Sequence, residues 1–185
     1  AVGESLVEHA RRALEEAGQV KVLAGGAGDQ LAGPLRLGVI PTLAPYLMPL
    51  VLGPLARTHP QMRIELWEDL THNLLDRLRS REIDAALLAT PVKEADLTAL
   101  ELFTEPFLAA LPQQHRLAKQ KSVRESDLSK DLMVLAEGHC LAAQALAACR
   151  VRSHNPAALH AASLDTLVNL TAAGYGTTLV PAFAA

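Results

Sequence analysis

An α/β fold built on a parallel sheet is the fold class that the sequence predicts. Short apolar strands alternate with amphipathic helices from residue 35 to residue 89, and this alternation is typical of a doubly wound parallel sheet. The composition is that of a globular domain, since half of the 185 residues are hydrophobic and a fifth are charged. The strands are expected at 35–40, 62–67 and 83–89, and the helices between them at 47–57 and 71–81.

The regions on either side of this segment carry further predicted elements. Residues 4–17 form an amphipathic pattern with a thin apolar seam and charged flanks, which suits either a helix on its own core or a dimerising helix. A glycine-rich linker follows, ending at Gly33-Pro34. Downstream we expect one or two strands in 101–111, strands at 131–136, 157–162 and 177–181, a helical turn at 125–129 and helices at 141–148 and 163–173.

Charge and composition exclude several classes of function. The net charge of −3 and an aromatic content of 3% do not form a nucleic-acid footprint, so this chain is not expected to bind DNA unaided. Prolines and a glycine interrupt the longest apolar run, at 43–56, so no membrane contact is expected. Two cysteines without a disulfide framework fit a reducing, cytoplasmic location. No cofactor is expected.

Two threonines stand where a ligand of such a sheet would bind. In open α/β sheets the ligand crevice lies beyond the carboxyl ends of the strands, and Thr42 and Thr71 each follow a predicted strand. Thr71 is also a natural N-cap for the next helix, and Thr42 suits a turn at a strand end. Neither structural role excludes binding.

The chain has two cysteines, Cys140 and Cys149, with an alanine-rich, helix-forming segment between them. Cys140 falls in the first turn of that helix, where the partial positive charge of a helix N-terminus favours a thiolate, and His139 adds a donor or a cation. Nine helical residues rise about 13.5 Å, whereas a disulfide needs Cα atoms within about 7 Å. A bond between these cysteines therefore requires the helix to unwind, which is the mechanics of a redox switch.

Other roles for these residues stand beside the switch. Free cysteines are often only small buried apolar residues, and two cysteines alone favour that role. His139, Cys140, Cys149 and His154 also offer two sulfur and two nitrogen ligands. Their spacing is unlike that of zinc sites, and adjacent ligands strain a tetrahedral geometry, so no metal site is expected.

Several separate segments resemble the LysR-type transcriptional regulators. Residues 33–42 and the prolines that follow are similar to the opening of their effector domain, and the resemblance runs from the first helix to the last residue. The peroxide-sensing members of the family are indicated by Thr71-His72 with Leu74-Leu75, Glu105-Pro106, Gly138-His139-Cys140 with a second cysteine nine positions on, and Ser163-Leu164-Asp165-Thr166-Leu167.

The resemblance implies a role for each candidate residue. Cys140 corresponds to the peroxidatic cysteine, which hydrogen peroxide oxidises to a sulfenic acid, and Cys149 corresponds to the resolving cysteine, which then forms a disulfide with it. Thr42, Thr71 and His139 correspond to the lining of the peroxide pocket. The family members are regulators and not enzymes.

The family's architecture implies two Rossmann-like subdomains of periplasmic-binding-protein type, preceded by a linker helix. On that basis residues 1–24 are the linker or dimerisation helix, 34–100 a partial first subdomain, and 101–185 the second subdomain with the hinge crossing. A C-terminal return to the first subdomain is missing, so apolar surface should be left uncovered. The implied partners are promoter DNA through an absent N-terminal domain, RNA polymerase, further copies in a homodimer or homotetramer, and a thiol reductant such as glutaredoxin or thioredoxin.

Three positions depart from the family pattern: Ala142 and Ala143 replace polar residues after the cysteine, and Val168 replaces an arginine. Two other functions remain as alternatives. One is an effector domain that binds a small metabolite and has structural cysteines. The other is a peroxidase-like enzyme, which the lack of a recognisable reductant site disfavours.

Overall fold

A computed structural model describes residues 2–3, 6–7, 9–10, 13–14, 16–18, 31–92, 94–151 and 161–185. The predicted linker at 25–34 is described only from residue 31, and residue 154 and most of the strand expected at 157–162 lie outside the described residues. The described residues between 2 and 18 are helical, and their large apolar side chains are exposed. Across the described ranges, no helix is both long enough and apolar enough to cross a membrane.

The first sheet confirms the predicted alternation. Strand β1 (Gly33–Val39) lies in the middle and pairs in parallel with β2 (Met62–Glu68) on one side and β3 (Ala85–Leu87) on the other. Helix α1 (Ala44–Thr58) follows β1, and helix α2 (Thr71–Arg79) follows β2. Thr42 and Thr71 therefore both lie at the carboxyl edge of this sheet, as expected.

Helix α1 begins three residues before the predicted start at 47. Pro45 is tolerated there because the first turn of a helix needs no N–H from it. The buried side chains Ala44, Leu47 and Met48 hold the helix on the sheet although two further prolines lie inside it.

These elements enclose the smaller of two hydrophobic cores, which we call the first core. Gly38 of β1 shows how closely α2 approaches the sheet, because a Cβ at this position would lie 2.7 Å from side-chain atoms of both Leu74 and Ile83. The buried residues of the first core are Val39, Ile40, Leu43, Ala44, Leu47, Met48, Leu74 and Ile83.

The second half of the chain surrounds a separate and larger core. Strands β4 (Phe107–Ala110) and β5 (Thr178–Pro181) are antiparallel, and the helices are α3 (Glu125–Leu128), α4 (Cys140–Ala148) and α5 (Leu164–Ala172). Ser163 caps α5 as predicted, since its hydroxyl accepts from the N–H of Thr166. The buried residues of this second core are Leu117, Leu128, Leu132, Met133, Val134, Leu135, Leu141, Ala142, Ala145, Cys149, Ala161, Leu164, Leu167, Leu179 and Val180.

The prediction of a strand at 131–136 is wrong. This segment makes only two isolated bridges, from Leu132 to Thr177 and from Leu135 to Ala161. Residues 132–135 are all buried in the second core, so their continuous apolar run results from burial and not from hydrogen-bonded pairing in a sheet.

Two other predicted strands are shorter than expected, because a strand extends only as far as its partner does. The strand expected at 83–89 pairs only at Ala85–Leu87, since β1 ends at Val39. The region 101–111 contains one strand, β4, which matches the four residues of β5.

Gly176 should be indispensable to the second core. A Cβ at this position would lie 2.5 Å from the carbonyl oxygen of Asp131 and 2.9 Å from Cγ of Met133. We expect Gly176→Ala to lower the free energy of unfolding by about 1–3 kcal/mol, as overpacking does, in urea denaturation.

Gly53→Ala is the matched control, because a Cβ on this exposed helical glycine would make only an ordinary contact, 3.7 Å from Arg57. Alanine inside a helix is favoured over glycine by roughly 0.5–1 kcal/mol, so this variant should be as stable as the parent or more so. Equal stability of Gly176→Ala and the parent would contradict the packing described here.

Candidate functional site

The two cysteines lie in different cores, at opposite ends of one helix. Cys140 is the first residue of α4, is partly exposed, and packs against the first core. Cys149 follows the last residue of α4, is 1% exposed, and belongs to the second core. Both are free thiols. The predicted helix between them is confirmed, and its buried residues Leu141, Ala142 and Ala145 anchor it to the second core.

Burial gives the two sulfurs different chemistry. Desolvation, and to a smaller extent the charge of Glu125, raises the pKa of the Cys149 thiol above its usual value. Cys149 is therefore a protonated, enclosed thiol at neutral pH. Cys140 is the accessible member of the pair, at the positive end of the α4 dipole.

A glycine places Cys140 against the first core. Gly138 has a φ of +98°, a left-handed conformation that favours glycine, and a Cβ there would lie 3.0 Å from Cδ1 of Leu70. Because Leu70 immediately precedes α2, this contact brings the turn before Cys140 next to the start of the helix that begins with Thr71.

His139 lies between this glycine and Cys140 and is partly buried. Desolvation lowers the pKa of His139, and the nearby backbone of Ala162 only partly opposes this effect. The imidazole is therefore neutral at pH 7. Of the two predicted roles, donor and cation, a neutral ring suits the donor.

The two threonines differ in their surroundings. Thr42 is buried and lines a cleft that also contains Cys140. Thr71 is the first residue of α2, and in the described part of the chain its buried Oγ1 has no hydrogen-bond partner. The predicted role of Thr71 as an N-cap is wrong, because Leu70 is the N-cap residue and Thr71 is already the first residue of the helix. The carboxylate of Asp69 accepts instead from the Leu70 N–H at 2.8 Å and from Asn73 Nδ2 at 2.6 Å.

The cleft beside Cys140 has a volume of about 650 Å³ and a mostly apolar lining from β3 and residues 97–105. Gln144, one helical turn after Cys140, also lines it, and its Nε2 donates to the carbonyl oxygen of Thr90 at 3.2 Å. No sequence motif identifies Gln144, although its i+4 spacing from Cys140 places both residues on one face of the helix.

A second polar contact that the sequence did not reveal joins Tyr46 to Asp165 at 2.9 Å. The two residues are 119 positions apart, so no local pattern pairs them. Over the described residues, no three histidine, cysteine or acidic side chains group as a metal site, and residue 154, considered above as a ligand, lies outside them.

Comparisons with known proteins agree with this geometry. Residues 28–185 match the family described as LysR substrate binding domain. The hydrogen peroxide-inducible genes activator of Pectobacterium carotovorum subsp. carotovorum is 40% identical over 182 residues, which are 97% of this chain and 60% of that protein. The chain thus spans about 60% of the length of this relative.

Solved structures of OxyR are also similar. The reduced form is 40% identical, with a TM-score of 0.76 over 85% of this chain and 74% of that one. The oxidised form is 39% identical, with a TM-score of 0.71 over 85% and 75%. These matches confirm the expected fold of two subdomains of periplasmic-binding-protein type. The chain belongs to the LysR substrate-binding domain family, in the branch that holds the OxyR-type regulators.

Proposed function

We propose that this chain is the hydrogen-peroxide-sensing regulatory domain of a transcriptional regulator, with Cys140 and Cys149 as its switch. One observation carries the proposal: an intact helix holds an accessible thiol against one core and an enclosed thiol in the other. Structural cysteines of an effector domain for a small metabolite would not need this division. The names of the relatives support the same function.

The chemistry has two balanced steps. The Cys140 thiolate attacks the O–O bond of hydrogen peroxide, so that the sulfur becomes a sulfenic acid and hydroxide leaves. The Cys149 thiol then attacks this sulfur, so that a disulfide forms and water leaves. The second step requires α4 to unwind and Cys149 to leave the second core, because the wound helix separates the two residues by about 13.5 Å.

Thr42 shares the cleft with Cys140, whereas Thr71 does not line it and instead begins the helix whose preceding residue, Leu70, lies next to Gly138. Hydroxyls donate and accept, so Thr42 and Thr71 can bond both oxygens of a small peroxide. Within the described residues the buried Oγ1 of Thr71 has no partner, which supports this role, since such an atom is costly unless a ligand satisfies it. His139, a neutral ring directly before Cys140, orients the segment before the sulfur.

The assembly around this domain follows from the same proposal. Residues 1–24 act as a linker and dimerisation helix, and the exposure of Leu6 and Leu14, at 63% and 75%, leaves apolar side chains free for a second copy. Residues 34–100 form the first subdomain and residues 101–185 the second subdomain with the hinge.

Oxidation changes the packing of a homodimer or homotetramer and so alters promoter DNA binding through an N-terminal domain. Transcription by RNA polymerase changes as a result. The protein is cytoplasmic, is oxidised stoichiometrically, and is reset by a thiol reductant such as thioredoxin or glutaredoxin.

Stoichiometric peroxide should join Cys140 to Cys149 within one molecule. Both lie in a single tryptic peptide, residues 131–150, so mass spectrometry under non-reducing conditions should find that peptide lighter by two hydrogens. Cys149→Ser should stop at the sulfenic acid and be trapped by a dimedone-type probe. If both thiols remain open to alkylation after peroxide treatment, the proposed function is wrong.

Oxidation should also abolish the protection of α4. Amides of residues 141–148 are expected to exchange slowly in the reduced protein and at least tenfold faster in the disulfide form, because the bond cannot form on a wound helix. Hydrogen exchange with mass spectrometry measures this, with α5 as the internal reference. Unchanged protection in a verified disulfide form would contradict the mechanism.

Thr71→Val should slow the first chemical step about tenfold or more, since it removes a hydroxyl that positions the peroxide while keeping the side-chain shape. The rate of sulfenic acid formation in a Cys149→Ser background measures the effect. Thr177→Val is the matched control, because Thr177 also carries a buried, unpartnered Oγ1 within the described ranges but lies beside Leu132 at the second core. Equal rates for the two variants would remove Thr71 from the peroxide pocket.

A further inference from the structure

Tyr46 connects the two halves of the domain. It lies in helix α1, which packs on the first sheet, yet its ring packs against the second core. Its hydroxyl donates to Oδ1 of Asp165, in the first turn of α5, at 2.9 Å. Burial, followed by the bond to Asp165 and its charge, raises the pKa of Tyr46 to about 12, so the hydroxyl remains a donor at physiological pH.

The Asp165 end of this contact lies close in sequence to a group that holds the redox segment. The N–H of Ala136, four residues before Cys140, donates to the carbonyl oxygen of Ala161, four residues before Asp165, at 2.8 Å. Gly138 lies next to Leu70, and Cys140 packs against the first core, which contains residues of α1. The segment leading into α4 and the Tyr46–Asp165 contact therefore both connect the first core with the second core, and both involve residues 161–165.

We propose that the Tyr46–Asp165 hydrogen bond is a latch that favours the reduced arrangement of the two cores and so sets the redox equilibrium of Cys140 and Cys149. The inference rests on the proposed function, since it concerns the regulation of the same pair. Tyr46 is a positioning residue here: it acts through the placement of α5 and touches neither peroxide nor sulfur in the mechanism.

The latch is tied to the reduced state by the geometry of oxidation. Disulfide formation draws Cys140 away from the first core and unwinds α4, which disturbs the segment leading into α4 and its hydrogen bond from Ala136 to Ala161. The 161–165 segment then loses a support on the side of the redox helix, and the register between α1 and α5 that aligns Tyr46 with Asp165 is released. A contact made in only one of two states shifts the equilibrium toward that state by its own free energy.

Other contacts of the site do not isolate this effect. The bond from Gln144 to Thr90 starts on α4 itself and is lost when that helix unwinds, so its removal cannot report on transmission between the cores. The ion pairs of Arg79 join α2 to Glu94 and Asp96, away from α5. Tyr46 is outside the redox helix and can be altered without changing either cysteine.

The thiol–disulfide equilibrium of the full chain against oxidised and reduced glutathione tests the latch. One glutathione disulfide oxidises the two thiols and yields two reduced glutathiones, so the quenched ratio of protein forms gives the equilibrium constant. Tyr46→Phe keeps the ring in the second core and removes only the donor. We expect the constant for disulfide formation to rise about fivefold, which corresponds to about 1 kcal/mol.

Tyr175→Phe is the matched control, because this side chain is 67% exposed, and its constant should equal that of the parent. Asp165→Ala provides a second route to the same loss. Once Asp165 is replaced, adding Tyr46→Phe should change the constant by less than twofold, since the bond no longer exists to be removed.

The outcomes separate the two proposals. A parent protein that forms no Cys140–Cys149 disulfide overturns the proposed function together with the latch. A parent that forms the disulfide, with a Tyr46→Phe constant within twofold of it, overturns the latch alone. Equal shifts from Tyr46→Phe with and without Asp165 also overturn it, because the effect would then come from the ring and not from the bond.

Discussion

The structure depends on the incompatibility of a wound helix and a bond between its two ends. While α4 keeps its turns, Cys140 stays with the first core and Cys149 stays inside the second. Burial of Leu141, Ala142 and Ala145 stabilises the wound form, and each fully buried apolar side chain of leucine size contributes roughly 1.5–3 kcal/mol relative to an exposed one. In the proposed mechanism oxidation exchanges this packing for a covalent bond, so the reduced and oxidised states are distinct arrangements and not small adjustments of one.

Within the described ranges, the contacts that connect the two halves include Gln144 to Thr90 and Tyr46 to Asp165. Gly138, in a backbone conformation that favours glycine, lies next to Leu70. Two of the three positions expected to depart from the family pattern add apolar packing, since Ala142 is buried in the second core and Val168 packs against it, whereas Ala143 is exposed.

Local patterns explain what could be predicted from the sequence. The alternation of β1, α1, β2, α2 and β3 and the alanine-rich helix α4 follow from periodicity and propensity, which neighbouring residues determine. The segment at 131–136 was misassigned because buried residues are apolar whether or not they pair. Thr71 does not cap α2, because Leu70 stands at the N-cap position and the nearby carboxylate of Asp69 accepts from the Leu70 N–H and the Asn73 side chain. The Tyr46–Asp165 contact spans 119 positions and exists only through the tertiary fold.

The enclosure of Cys149 has a consequence for the response to different doses of oxidant. In the proposed mechanism the Cys149 sulfur must first leave the second core. Disulfide formation then follows first-order kinetics, because its rate is that of a local unfolding step. In the proposed mechanism, reaction of the sulfenic intermediate with a further peroxide is second-order, accelerates with peroxide concentration and gives irreversible sulfinic acid. A slow rise in oxidant would then be recorded as a reversible disulfide, whereas a sufficiently abrupt rise would outrun disulfide formation and inactivate the switch permanently.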